Sequence, residues 1–254
     1  MKKEIESAML EENIDYLAKY YDLLYEEEIG KDYEKESKQI IQIIEEDIDK
    51  EAEILLDVGC GTGSHLKYLC EKFRSTGVDK SEKMVKTAKK KVPDVSLEVG
   101  DMVDFELDKN FDVIICLFGT IGFAKTYSGL VKTLENFKAH LSSEGIVIIE
   151  PWIYLSDFED RDKPHVTTAE SDDVLLVRME QSEIKDSKWI LNFHYLVGEK
   201  GEIHYSKEVH EMLALDRSDY VKAFEEAGFE IVNCIEEGER WVGARELLVL
   251  RVNE

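Results

Sequence analysis

Positive charge is scarce in this chain. Lys and Arg total 32 against 56 Asp and Glu, a formal charge of −24. Phosphate contacts carry much of nucleic-acid affinity, so a surface this acidic repels a polyanion at long range and no nucleic-acid partner is expected. Long apolar runs are missing too. The longest uncharged stretch, Val113 to Ala124, falls far short of the roughly 20 apolar residues of a membrane span, so no membrane partner is expected either. The opening MKKEIESAMLEEN sets a Lys pair directly against acidic residues with no apolar stretch behind it, unlike a secretion signal, and predicts a cytoplasmic protein. Cysteine is sparse. Cys60, Cys70, Cys116 and Cys234 show no CxxC spacing and no His cluster beside them, which argues against a metal site and against a disulfide framework. Only Pro93, Pro151 and Pro164 interrupt the 254 residues, without low-complexity linkers or repeats, so one large domain with a sizeable insertion is expected.

Hydrophobic periodicity gives the organisation. From Asp15 to Ile48, Tyr16, Leu17, Tyr20, Leu24, Ile40, Ile41, Ile44 and Ile48 recur at helical spacing around a break near Gly30, predicting two amphipathic helices. Short apolar runs then alternate with helical stretches: ILLDV (54–58), a helix from Ser64, STGVD (75–79), a helix from Ser81, VSLEV (95–99), FDVIICLF (111–118), a helix from Thr126 to Leu141, and GIVIIE (145–150). Strands without polar alternation, interleaved with helices, imply a doubly wound α/β unit whose parallel sheet is covered on both faces. After Pro151 the period becomes two. Trp189, Leu191, Phe193, Tyr195 and Val197 form one face of a strand; Ile203, Tyr205, Val209 and Leu213 partly repeat the pattern beyond a turn at 199–202, and Val174 to Met179 is a third strand. This predicts an inserted antiparallel β-sheet, either a lid or an interface for a homodimer. A helix from Arg217 to Ala227 and two apolar runs complete the main sheet. The expected divisions are N-terminal helices forming a cap over 1–50, a cofactor-binding core over 51–150, the insertion over 151–215 and the completion of the core over 216–254.

The chemistry concentrates in Asp57-Val58-Gly59-Cys60-Gly61-Thr62-Gly63, between a strand and a helix. Glycines 59, 61 and 63 let the backbone turn tightly and approach a ligand, and the helix beyond offers free N–H donors. Asp57 ends the strand where a carboxylate can meet a cationic amino group. The spacing is GxGxG, whereas the dinucleotide fingerprint is GxGxxG. Asp79 ends the next strand, where an acid can hold both ribose hydroxyls. Gly100-Asp101-Met102 follows the third strand, its acid and Met placed to meet an adenine amine and ring face. Phe111-Asp112 opens the fourth.

This order of motifs, DVGCGTG, GVD, GDM and FDVIICL, resembles the class I S-adenosylmethionine-dependent methyltransferases. The resemblance implies a seven-stranded Rossmann-like sheet and S-adenosylmethionine as cofactor. It places Gly59, Gly61 and Gly63 along the methionine part, Asp79 on the ribose, and Asp101 and Met102 at the adenine, with Lys80, Met84 and Leu117 adjoining and Tyr33 a candidate for the cofactor carboxylate. More narrowly, the chain is similar to the N,N-dimethyltransferases of nucleotide-linked deoxyamino sugars. The segments that carry this are YDLLY (21–25), GKDYEKE (30–36), GDMVDF (100–105), LFGTIGF (117–123), EPW (150–152), NFHYLV (192–197), IHYSKEVH (203–210) and DYVKAFEEAGFEI (219–231).

That similarity implies a small-molecule substrate, methylated on an amine of an amino sugar. Tyr25 is then the substrate-side tyrosine and the one candidate catalytic residue, with Glu150, Trp152, Arg178 and Arg245 as further acceptor contacts. Phe123 stands where some members carry His, and Glu26, Glu27 and Glu28 fill a loop that is basic in the group. The sequence alone leaves open an O- or C-methyltransferase of another metabolite, a protein or tRNA methyltransferase, and a binding protein that keeps the pocket without transfer.

Overall fold

A computed structural model of the chain describes residues 14–28, 30–48, 51–158, 163–237 and 245–253. In chain order the elements are α1 (Ile14–Asp22), a π-helical turn (Leu23–Glu28), α2 (Tyr33–Asp47), β1 (Ile54–Val58), α3 (Leu66–Leu69), β2 (Arg74–Asp79), α4 (Glu82–Lys91), β3 (Ser96–Val99), β4 (Phe111–Cys116), α5 (Tyr127–His140), β5 (Leu141–Ile149), β6 (His165–Glu170), β7 (Val174–Lys185), β8 (Lys188–Glu199), β9 (Glu202–Leu213), α6 (Arg217–Ala227), β10 (Phe229–Glu237) and β11 (Arg245–Val252). The chain divides into two compact units, Met1–Asp32 with Glu159–Glu211 and Tyr33–Phe158 with Met212–Glu254.

The larger unit carries a seven-stranded sheet in the order β3-β2-β1-β4-β5-β11-β10. Pairs from β3 through β5 are parallel, whereas β11 runs antiparallel to both β5 and β10. Alternate strand residues feed two cores, as a parallel sheet covered on both faces requires. Leu56, Val58, Ile114, Cys116, Val147 and Ile149 pack with Leu130, Leu134, Phe137 and Phe224 of α5 and α6. Leu55, Val113, Ile115, Ile146 and Ile148 pack on the other side with Ile40, Ile44, Val85 and Ala88 of α2 and α4. Helix ends follow local chemistry: Ser81 and Thr126 accept the Met84 and Gly129 N–H groups as N-caps, and Gly228, at φ +81°, ends α6. The chain order turns back at β1 and β4. Their carboxyl ends form the switch point at which open α/β sheets bind ligands.

One expected helix is cut short. The run from Ser64 yields only the four residues of α3, flanked by tighter turns in which the N–H groups of Tyr68, Glu71 and Lys72 bond three residues back, to His65, Tyr68 and Leu69.

The smaller unit carries a four-stranded antiparallel sheet, β6-β7-β8-β9, so the expected inserted sheet is present with one strand more than the sequence showed. Trp189, Leu191, Phe193, Tyr195 and Val197 share one buried face, as the period predicted. In β9 the alternation is inverted. Ile203, Tyr205 and Val209 face solvent, while Ser206 and Glu208 are buried, so the polar residues of that strand point inward. No helix among the described residues is long and apolar enough to cross a membrane.

Candidate functional site

The glycine loop follows β1 with Gly59, Gly61 and Gly63 all in the left-handed region, at φ +76°, +53° and +77°. A Cβ on Gly59 would fall 2.1 Å from the Thr120 methyl, so this position is closed to any side chain. On Gly61 it would meet nothing within 4 Å. The loop therefore packs tightly at Gly59 and presents open backbone at Gly61. Asp79, at the end of β2, fastens it: one carboxylate oxygen accepts the Gly61 N–H at 2.9 Å, and the other accepts the Ser81 N–H at 2.8 Å. Burial raises the Asp79 pKa, and those two N–H groups offset only part of the rise.

Asp57 is 3% exposed and has no basic partner among the described residues. Burial first, then the charge of Asp79, pushes it up to about 8. A buried carboxylate without a cation is costly, and a ligand amino group would supply the missing charge. Cys60 and Cys116 contribute no nucleophile: burial, with the charge of Asp57 added, holds both thiols protonated.

Asp101 follows β3 and is ion-paired with Lys80. Burial works to raise its pKa, but the Lys80 and Val103 hydrogen bonds and the Lys80 and Lys125 charges leave it below the usual carboxylate value. Lys80 thus lies beside Asp101 as its ion-pair partner. Met102 packs half-buried against the core, and Met84 and Leu117 are buried. Tyr33 is buried at the start of α2, edge-on to His65, whose Nε2 lies 2.9 Å from Glu36. Sequence reasoning missed Glu36. Its only signal was an acid on the buried side of an amphipathic helix.

Beyond β4, Phe118 takes a left-handed φ of +54°, and its N–H donates to the Glu150 carboxylate at 2.8 Å. Trp152 stacks edge-on against the Phe118 ring. Glu150 and Trp152 thus brace the loop after β4, the strand that pairs with β1. Phe118 went unnoticed in the sequence, since nothing in LFGT marks a strained residue.

Tyr25 and Arg178 belong to the smaller unit, where the structure brings them together. The Arg178 guanidinium donates to the Tyr25 hydroxyl at 3.2 Å, lies over the Tyr25 and Phe193 rings, and pairs with Glu180 at 2.9 Å. Arg178 is 2% exposed, far from the solvated state usual for a strand arginine. Burial raises the Tyr25 pKa more than Arg178 lowers it, so the residue stays a neutral phenol. Glu26 is exposed; the side chains of Glu27, Glu28 and Arg245 lie outside the described residues.

The donor set fits S-adenosylmethionine: an unpaired buried carboxylate for its amino group, an acid tied to the glycine loop for its ribose, and open backbone at Gly61. A pH signature follows. Because an ionised Asp57 is what meets a cation, affinity for S-adenosylhomocysteine is expected to fall about tenfold per pH unit as pH drops below 8 and to level off above it. Calorimetric titrations across pH test this, and Asp57→Asn should flatten the profile. Stability of the ligand-free protein carries the opposite trend. A carboxyl whose folded pKa is raised favours the fold fully below its ordinary 3.8, and that contribution is lost as pH climbs toward 8.

Residues 55–145 match the model of a methyltransferase domain family. The dTDP-3-amino-3,6-dideoxy-alpha-D-glucopyranose N,N-dimethyltransferase of Streptomyces fradiae is 33% identical over 218 residues, covering 85% of this chain and 84% of the relative. Among solved structures, Streptomyces venezuelae DesVI superposes with a TM-score of 0.83 at 31% identity, over 92% of this chain and 98% of that one. The sugar N-methyltransferase KedS8 from Streptoalloteichus follows at a TM-score of 0.78 and 29% identity, covering 92% and 93%. The likeness runs through the cofactor loop, the inserted sheet and the terminal strands alike, and the chain belongs to the S-adenosylmethionine-dependent methyltransferases, in the family of the dTDP-amino-sugar N,N-dimethyltransferases.

Proposed function

We propose that this enzyme methylates the amino group of a nucleotide-linked amino sugar. The supporting observation is the reach of the likeness: the family model matches only 55–145, yet identity to a sugar N,N-dimethyltransferase extends over 85% of the chain. Asp57 meets the cofactor amino group, Asp79 the ribose, and Asp101 with Met102 the adenine. Gly59, Gly61, Gly63, Tyr33, Met84 and Leu117 line the site, with Lys80 joining them through its ion pair with Asp101. When bound, the cofactor supplies a methyl group already activated on its sulfonium. What remains for the protein is to hold an unprotonated amine in line, so orientation carries most of the catalysis. Tyr25, neutral and hydrogen-bonded to Arg178, serves that purpose by hydrogen bonding and not as an anionic base. Glu150, Trp152 and Arg245 are the remaining acceptor contacts.

A methyl-transfer assay against a panel tests the reading. Turnover is expected with dTDP-3-amino-3,6-dideoxy-alpha-D-glucopyranose and not with the sugar nucleotide that carries hydroxyl in place of the amine. Preference for a hydroxyl or carbon acceptor, or for a protein or tRNA, would refute it.

The same reading places the enzyme in the cytoplasm, without a nucleic-acid partner, as a homodimer through the outer face of the inserted sheet. Leu175, Met179, Leu196, Ile203 and Val209 lie exposed on that face, Ile203 at 79%, an apolar patch of the kind that marks interfaces. Light scattering is expected to give twice the 29.3 kDa chain mass and, for Leu196→Glu, the single mass.

A further inference from the structure

The inner face of the four-stranded sheet holds buried polar atoms without hydrogen-bond partners among the described residues. Glu208 is 3% exposed, and neither of its oxygens has a hydrogen-bond partner among the described residues; its one ionic neighbour there is His210, whose Nε2 lies 3.3 Å away. The Tyr195 hydroxyl, the Ser206 hydroxyl and Arg178 Nε are likewise buried without a partner among the described residues. These groups gather on one face. Tyr195 is the register partner of Arg178 across β7 and β8, and the charges of Glu208, Arg178 and Glu180 all act on the Tyr195 hydroxyl. Phe193 and Tyr25 flank them with apolar ring faces over the guanidinium.

A polar cluster that only stabilised the sheet would satisfy its own hydrogen bonds, because each buried orphan costs free energy. Here five atoms are left orphaned. Charge narrows what could satisfy them. Glu180 already pairs with Arg178, and among the described residues Glu208 faces only His210, a cation only when protonated, so the cluster holds no spare positive charge for a phosphate while both Glu208 oxygens can still accept from N–H or O–H donors.

We propose that the interior of the inserted sheet binds the sugar ring of the acceptor, with Glu208 accepting hydrogen bonds from its amine or hydroxyl groups and Tyr195 and Ser206 completing the contacts. This rests on the amino-sugar reading above and adds to it which part of the acceptor this sheet receives: the donor-rich sugar, not the pyrophosphate.

The test compares wild type, Glu208→Gln and Tyr195→Phe by calorimetry with three probes: dTDP-3-amino-3,6-dideoxy-alpha-D-glucopyranose, its counterpart with hydroxyl in place of the amine, and dTDP alone. Glu208→Gln is expected to weaken the sugar nucleotide about tenfold or more and leave dTDP unchanged, with Tyr195→Phe smaller in the same direction. Loss confined to the amino compound assigns the amine as the donor; equal loss for both sugars assigns the hydroxyls. Equal loss for dTDP itself, or no loss for any probe, overturns the proposal. S-adenosylhomocysteine affinity should be unchanged in both variants. The melting temperature of Glu208→Gln should hold or rise, because an unsatisfied buried charge has been removed; a fall would mark a structural role. Turnover separates the two readings. Wild-type activity on the sugar nucleotide with binding unchanged in Glu208→Gln sinks this inference alone. Activity only on another amine, lost in Glu208→Gln, sinks the nucleotide-sugar reading and keeps Glu208 as the acceptor of amine donors.

Discussion

Asp79→Ala is expected to weaken S-adenosylhomocysteine binding by roughly a hundredfold or more, measured by calorimetry at pH 8. Each Asp79 oxygen already accepts one backbone N–H, from Gly61 and from Ser81. Each oxygen retains a lone pair for a ribose hydroxyl, and hydrogen bonds to a charged acceptor contribute about 1.5–3 kcal/mol apiece. Losing two gives the stated factor at the lower end. Alanine also frees the Gly61 N–H, so the loop loses its tie to β2 as well as its ligand contact. Asp79→Asn, which keeps the size and one acceptor oxygen, should fall between wild type and alanine. Unchanged affinity in Asp79→Ala would remove the ribose assignment.

Gly59→Ala should be strongly damaging for a single added methyl group. At φ +76° an L side chain costs about 1–2 kcal/mol, and the new Cβ would stand 2.1 Å from the Thr120 methyl. Threonine is stiff at χ1 and cannot swing away freely, so the loop or the segment after β4 has to move. Overpacking of this kind adds about 1–3 kcal/mol. A loss of roughly 2–5 kcal/mol should lower the melting temperature by roughly 5–15 °C, with cofactor affinity falling in step. Thr120→Ala in the Gly59→Ala background should return part of the loss, since the collision is with the side chain that it trims. A Gly59→Ala protein that melts and binds like wild type would mean that the loop is not packed in this way.

The parallel sheet was readable because its strands are continuous apolar runs, and Ile54–Val58 and Arg217–Ala227 match their sequence bounds to the residue. Local spacing likewise marked the candidate cofactor residues, since a glycine loop, two strand-end acids and GDM each lie within a few positions. What escaped depends on distant partners or on unusual turns. Lys200-Gly201, at φ +54° and +79°, carries the glycine that announces a two-residue hairpin; Asp186-Ser187 makes the same turn at +51° and +58° without one, so the β7 end was misjudged. β6, with the sequence HVTTAE, is a mostly polar edge strand and gave no apolar signal. The burial of Arg178 and Glu208 has no local signal, because charged residues rarely enter a core. Parity contained the missing clue. A two-residue turn from Glu199 to Glu202 sets odd residues of β8 opposite even residues of β9, so the burial of Phe193 and Tyr195 implies inward positions for Ser206 and Glu208.

The buried acids are where the net charge of −24 acquires meaning. Among the described residues Asp57 has no cation beside it in one unit and neither Glu208 oxygen has a hydrogen-bond partner in the other, and each deficit narrows what can bind there. The most direct measurement is the fate of an isotopically labelled methyl group. The enzyme is incubated with labelled S-adenosylmethionine and dTDP-3-amino-3,6-dideoxy-alpha-D-glucopyranose, and the product is read by NMR and mass spectrometry. The expected result is one or two labelled methyl groups on nitrogen. Label on oxygen or carbon, or an unlabelled sugar nucleotide beside another methylated amine, would contradict the account.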